Sequence, residues 1–115
     1  MEVVQVRAAD LIATLPPSLD ALVVALCADY KRREDELLKE DLPLRVKAEL
    51  CYLNYIIREA AAEIADERYV FDFINDIGKR IGYAHSEIFG MSETTYKTQK
   101  IYIKMRIAKR LHLYI

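Results

Sequence analysis

Residues 90–111 read GMSETTYKTQKIYIKMRIAKRL, and whether this stretch is helix or strand decides the fold class. Ile101, Ile103, Met105 and Ile107 alternate with more polar residues, the period-2 pattern of a half-buried strand. Three features oppose that reading. Ser92 supplies an N-cap oxygen, and Glu93 sets a negative charge against the unpaired N–H groups of a first helical turn. Lys97, Lys100 and Lys104 recur at steps of three and four. Every substantial segment upstream also has helical period. The stretch is read as a helix, and the chain as all-α.

Working outward, Pro16-Pro17-Ser18 opens an earlier helix, because proline in a first turn forfeits no needed hydrogen bond. Its apolar face runs Leu19, Leu22/Val23, Leu26, Tyr30, Leu37 and Leu38, interrupted by KRREDE (31–36), read as a solvated face with i,i+4 pairs. Asp41-Leu42-Pro43 restarts the pattern with Asp41 as capping carboxylate, followed by a stripe at Val46, Leu50, Leu53, Ile57 and Ile64. EAAAEIADER (59–68) contains no breaker, so this helix ends near Asp66 or runs into the next. Val70, Phe73/Ile74, Ile77 and Ile81 form a third stripe, with Gly78 inside it and Gly82 ending it. Tyr83–Phe89 reads as a connection or a very short helix. EVVQV (2–6) is a short strand or an arm, and AADLIATL (8–15) a helical turn or two. The expected architecture is a single all-helical domain over 1–115, a small bundle of about four helices.

Composition agrees. With 115 residues, 53% hydrophobic content, and only three Gly and three Pro, the chain is neither disordered nor a loop-rich sandwich. Cys27 and Cys51 are too few and too far apart for a zinc or disulfide framework, and their apolar neighbours predict that both are buried and reduced. LDALVVALC (19–27) falls far below the roughly 20 apolar residues of a membrane span, so the chain reads as cytoplasmic with no membrane partner. No metal or cofactor is implied, and no enzyme. His85 and His112 have no ligand-spaced companions, phosphate-binding glycine motifs and a GxSxG elbow are absent, and Glu59 and Glu63, one turn apart, read as solvated rather than catalytic.

The formal net charge of −1 conceals a division. Residues 1–78 carry nine Lys/Arg against sixteen Asp/Glu, a net of −7, whereas residues 79–115 carry eight Lys/Arg against Glu87 and Glu93, a net of +6. Such asymmetry marks either a polyanion-binding end or unevenly scattered surface charge. We read 1–65 as an acidic helical core that also offers a homodimer face, and 66–115 as a basic end with a helix-turn-helix-like unit. In such a unit the N-terminal turn of the second helix enters the major groove, where short polar side chains reach base edges and basic ones hold phosphates. Thr94, Lys97, Thr98, Lys100 and Lys104 fit that pattern, with Ile101 facing inward and Tyr96 packed back on the preceding helix, its hydroxyl free for a phosphate oxygen. The series 97, 100, 104, 107, 111 changes from lysine to Ile107 and Leu111, as if its front projected and its rear were packed. Lysines along an apolar border are the structural alternative.

The segment GYAHSEIFGMSETTYKTQKIYIKMRIAKRLHL (82–113) resembles the C-terminal end of phage and prophage late-gene transcription regulators, whose helix-turn-helix is similar to region 4 of sigma-70-type factors. The likeness lies in Ser92, Glu93, Thr95, Tyr96 and Lys97, and in Ile107, Ala108, Lys109 and Leu111. It implies that Glu93, Thr94, Lys97, Thr98 and Lys100 face duplex DNA, that Tyr96 belongs to the core, and that RNA polymerase is a candidate partner. The competing expectation is a helical interaction or phage assembly subunit that does not bind nucleic acid.

Overall fold

The computed structural model describes residues 15–79 and 90–113. The chain forms α1 (Pro17–Ala28), α2 (Tyr30–Leu37), α3 (Leu44–Ile64), a 3-10 turn at Glu67–Tyr69 leading into α4 (Val70–Lys79), and α5 (Glu93–Arg110), with no strand among the described residues. The fold is all-α. The expectations for residues 1–14 and 80–89, including Ile81, Gly82 and His85, lie outside the described residues.

Among the described residues five helices appear rather than four, because the first breaks at Asp29. Pro16 is the N-cap of α1 and Pro17 its first residue, as the proline pair predicts. At the other end, the guanidinium of Arg33 donates to the Leu26 carbonyl, one of the acceptors that a helix C-terminus leaves without a partner. It also donates to Asn54 Oδ1 at 2.6 Å and reaches Asp29 at 3.3 Å, while the Asn54 amide donates to the Tyr30 carbonyl at 3.1 Å. KRREDE is therefore not wholly a solvated face: Arg33 is 2% exposed. One arginine ties the α1–α2 corner to α3.

One further cap differs from expectation, and the open question of where α3 ends is answered at Ala65. Asp41 is exposed and caps nothing; Pro43 is the N-cap of α3, its carbonyl accepting from Lys47 N–H at 3.0 Å, so Asp41 stands too far upstream. α3 and α4 are separate helices, because Ala65 is extended (φ −95°, ψ 152°) and the Asp66 carboxylate accepts from Arg68 N–H to start the 3-10 turn. The buried stripe of the first two helices is Val23, Cys27 and Tyr30, with Leu22 and Leu38 exposed. On α3 burial begins in earnest at Asn54: Ile57, Ala60, Ala61 and Ile64 are inside, whereas Val46 and Cys51 are exposed. The expectation that both cysteines are buried thus holds for Cys27 alone. Cys51 falls on the outer side of α3, away from the Ile57–Ile64 stripe.

Two close approaches fix the packing. A Cβ at Gly78 of α4 would lie 2.6 Å from the Ala28 backbone at the end of α1, so this glycine is required by a helix crossing rather than by helix punctuation. Ala60 and Ala61 of α3 and Ala108 of α5, all fully buried, let the C-terminal half of α3 lie along α5. Ile103 and Ile107 fill the seam between them, while Ile101, expected inside, is only half-buried.

Candidate nucleic-acid interface

The front of α5 is set by a turn. Gly90 has φ +57°, a left-handed conformation that costs glycine nothing and other residues strain. Nothing crowds the position its Cβ would occupy, so backbone geometry alone selects glycine there. Ser92, extended at φ −67°, ψ 157°, then accepts from Thr95 N–H at 3.2 Å, and its hydroxyl donates to the Thr95 hydroxyl at 2.9 Å. A side-chain cap and Glu93 in the first turn make α5 a well-started helix, and the strand alternative fails.

The six residues expected to contact DNA do not share one surface. Glu93, Thr94 and Lys97 are exposed, with Lys97 Nζ 2.8 Å from Glu93, and Thr98 is half-buried at their edge. Lys100 and Lys104 turn inward. Lys100 Nζ lies 3.4 Å from the Asp76 carboxylate, 3.2 Å from the Tyr96 hydroxyl and over the Tyr96 ring. Lys104 Nζ lies 2.7 Å from Asp20 of α1. The change of character along this stripe therefore occurs between Lys97 and Lys100, nearer the start of the helix than lysine placement implies.

Tyr96 is the second correction. It is 2% exposed, stacks on Phe73 of α4 at a ring separation of 5.8 Å, and donates its hydroxyl to Asp76. That hydroxyl is engaged inside the protein and is not presented to a phosphate. Farther along, Arg106 and Arg110 both reach Glu63 of α3, the former at 3.7 Å, which also answers the Glu59–Glu63 question: Glu63 is a docking carboxylate. Four of the C-terminal basic residues thus meet Asp20, Glu63 and Asp76 on three other helices. The charge asymmetry of the sequence is in large part an internal complementarity. Lys109, exposed toward the far end of α5, has no ion pair among the described residues.

No protein-family model matches the chain, and no curated protein or solved structure does either. Among the described residues no group of three His, Cys, Asp or Glu side chains could hold a metal ion, and no helix is long and apolar enough to cross a membrane. Sequence reasoning missed Arg33, Asn54, Asp76, Asp20 and Glu63 as organising residues. Their partners lie far along the chain, and no local pattern marks them.

Proposed function

We propose that this chain binds duplex DNA through the exposed first two turns of α5, as a transcription regulator of the phage or prophage kind that the segment 82–113 resembles. The observation that carries the reading is the division of α5: a capped front presenting Thr94 and Lys97 outward, and a rear fastened to α1, α3 and α4. A rigidly held helix with a polar leading turn, entered through the left-handed Gly90, suits insertion into a major groove. In this reading Glu93, Thr94, Lys97 and Thr98 form the contact set, and Lys100 and Lys104 hold the helix in place. Bases are read through the Thr94 hydroxyl and methyl, while Lys97 exchanges Glu93 for a phosphate. RNA polymerase is the protein partner that the resemblance implies, and a cytoplasmic location accompanies it.

The test is a fluorescence-anisotropy titration against random-sequence duplex at several salt concentrations. Each neutralised phosphate contributes about −0.9 to the log–log slope, so Lys97→Ala should flatten the slope by about that amount. Thr94→Ala should leave the slope and blunt sequence preference once a preferred site is selected. A wild-type chain that does not bind duplex at low salt overturns the proposal. The rival reading, a helical interaction subunit, draws on the large apolar side chains exposed on α3 and, at Leu38, just beyond α2.

A further inference from the structure

The first three turns of α3 carry a second apolar face that no other described residue covers. Leu44, Ala48, Cys51 and Tyr55 are all exposed, Leu44 at 83% and Tyr55 at 48%. Their spacing of four, three and four is that of a coiled-coil seam, in which a and d positions of one helix meet those of another. These residues are distinct from the inner stripe through Leu53 and Ile57. Ala48, Cys51 and Tyr55 also line a groove of about 510 Å³ whose opposite wall is Tyr30, Glu34 and Leu37 of α2. Leu38, 81% exposed, extends the apolar surface just beyond α2.

We infer that this face pairs with a second copy of the chain, α3 against α3, in antiparallel orientation. Two observations choose the occupant. A 4-3-4 seam is complementary to another seam of the same spacing, and an identical chain supplies one; a two-fold pairing then satisfies every contact twice. Charge sets the direction. Arg58 occupies the next seam position after Tyr55 and has no carboxylate partner among the described residues, only the Tyr55 ring beneath it. The other end of the seam, Leu44, is about 21 Å away at 1.5 Å per residue, and in the turn just before it Glu40 and Asp41 are exposed, with no ion pair among the described residues. Parallel pairing sets like charge on like. Antiparallel pairing brings Arg58 to the partner's Asp41, with Leu44 against the partner's Tyr55 and Ala48 against the partner's Cys51. Small residues then meet at the centre, where the helices approach most closely, and large ones close the two ends. The inference is independent of the DNA-binding proposal and survives its failure.

The seam spans under two heptads, so the dimer is weak and is sought by sedimentation velocity from about 10 to 500 μM, the range in which a low-affinity pair fills. The wild type should shift reversibly from monomer to dimer. Leu44→Glu and Arg58→Glu should each raise the dissociation constant by about tenfold or more. Both sites are exposed, so the thermal melt should not move. Joining Arg58→Glu to Glu40→Arg and Asp41→Arg should restore dimerisation, an outcome that lost folding cannot mimic. A wild type that stays monomeric throughout, or a dimer indifferent to Leu44→Glu and Arg58→Glu, overturns the inference.

Discussion

Arg33 holds the corner of the molecule, and its chemistry explains how a charge can be kept inside. Burial pulls the guanidinium pKa down, with the Asp29 carboxylate opposing it, yet its bonds to Asn54, Asp29 and the Leu26 carbonyl answer the donors that burial strips of water. Removing the guanidinium takes the donor away from the buried Asn54 Oδ1 and from the Leu26 carbonyl. Arg33→Ala is therefore expected to cost about 3–5 kcal/mol in urea unfolding, whereas Arg32→Ala, at the exposed Arg32–Asp29 pair, should cost well under half as much. At Gly78 the obstacle is backbone rather than a flexible side chain, so Gly78→Ala should destabilise by about 1–3 kcal/mol in the same measurement despite alanine's better helix propensity. The two cysteines make a third contrast. Cys51 should react with a thiol reagent at once in dilute folded protein, and Cys27 only after unfolding. Burial pushes the Cys27 thiol up from 9.0 to about 12, with Arg33 and Lys104 acting against the rise. The folded thiol then keeps a proton that the unfolded chain releases. Its contribution is intact below pH 9 and declines as pH rises from 9 toward 12, so urea midpoints should fall across that window and fall less in Cys27→Ala.

At the scale of the helix, local chemistry was legible where the chain itself contains both partners. The proline pair at 16–17 and Ser92 with Thr95 lie within one turn of what they cap, so sequence spacing identifies them. The break at Asp29 was not legible, because it depends on Arg33 meeting Asn54, twenty-one residues away. Nor was the burial stripe of α1, since Leu22 and Val23 are equivalent by composition and only the approach of Gly78 to Ala28 selects which side faces in. How α5 is fastened gives an ordering that burial decides. Asp76 is almost wholly buried, accepting from Tyr96 and facing Lys100; Glu63 is about one-third exposed when it meets Arg106 and Arg110. Asp76→Ala should cost about 3 kcal/mol or more, because it removes a buried carboxylate on which a hydroxyl and a lysine converge. Glu63→Ala should cost about 1 kcal/mol, since solvent screens the pair and hydrates the arginines it frees. Chemical denaturation of the two variants side by side checks the order, and equal losses would show that burial is not what sets the strength of these contacts.

Across the whole molecule the segregation of charge was visible in the sequence, but its meaning was not. A residue count reports that acidic and basic ends exist; it does not report that Asp20, Glu63 and Asp76 stand where Lys104, Arg106, Arg110 and Lys100 arrive. Four of the eight basic residues after residue 78 bind the fold to itself, and Lys97 is the exposed cation at the front of α5. This separates two roles that one lysine stripe seemed to share. Lys104→Ala removes the anchor to Asp20, a contact about one-fifth exposed on the lysine side, and should cost about 1 kcal/mol, lowering Tm by several degrees in a domain of this size. Because Lys104 faces α1, the same change should leave the salt dependence of the proposed DNA binding untouched. Lys97→Ala should do the reverse, holding Tm while flattening the log–log salt slope by about 0.9. Calorimetry and anisotropy on the same two proteins make the comparison. If Lys104→Ala flattens the slope as much as Lys97→Ala does, the anchored lysine leaves Asp20 for phosphate when DNA arrives, and the front of the helix is longer than the free protein presents.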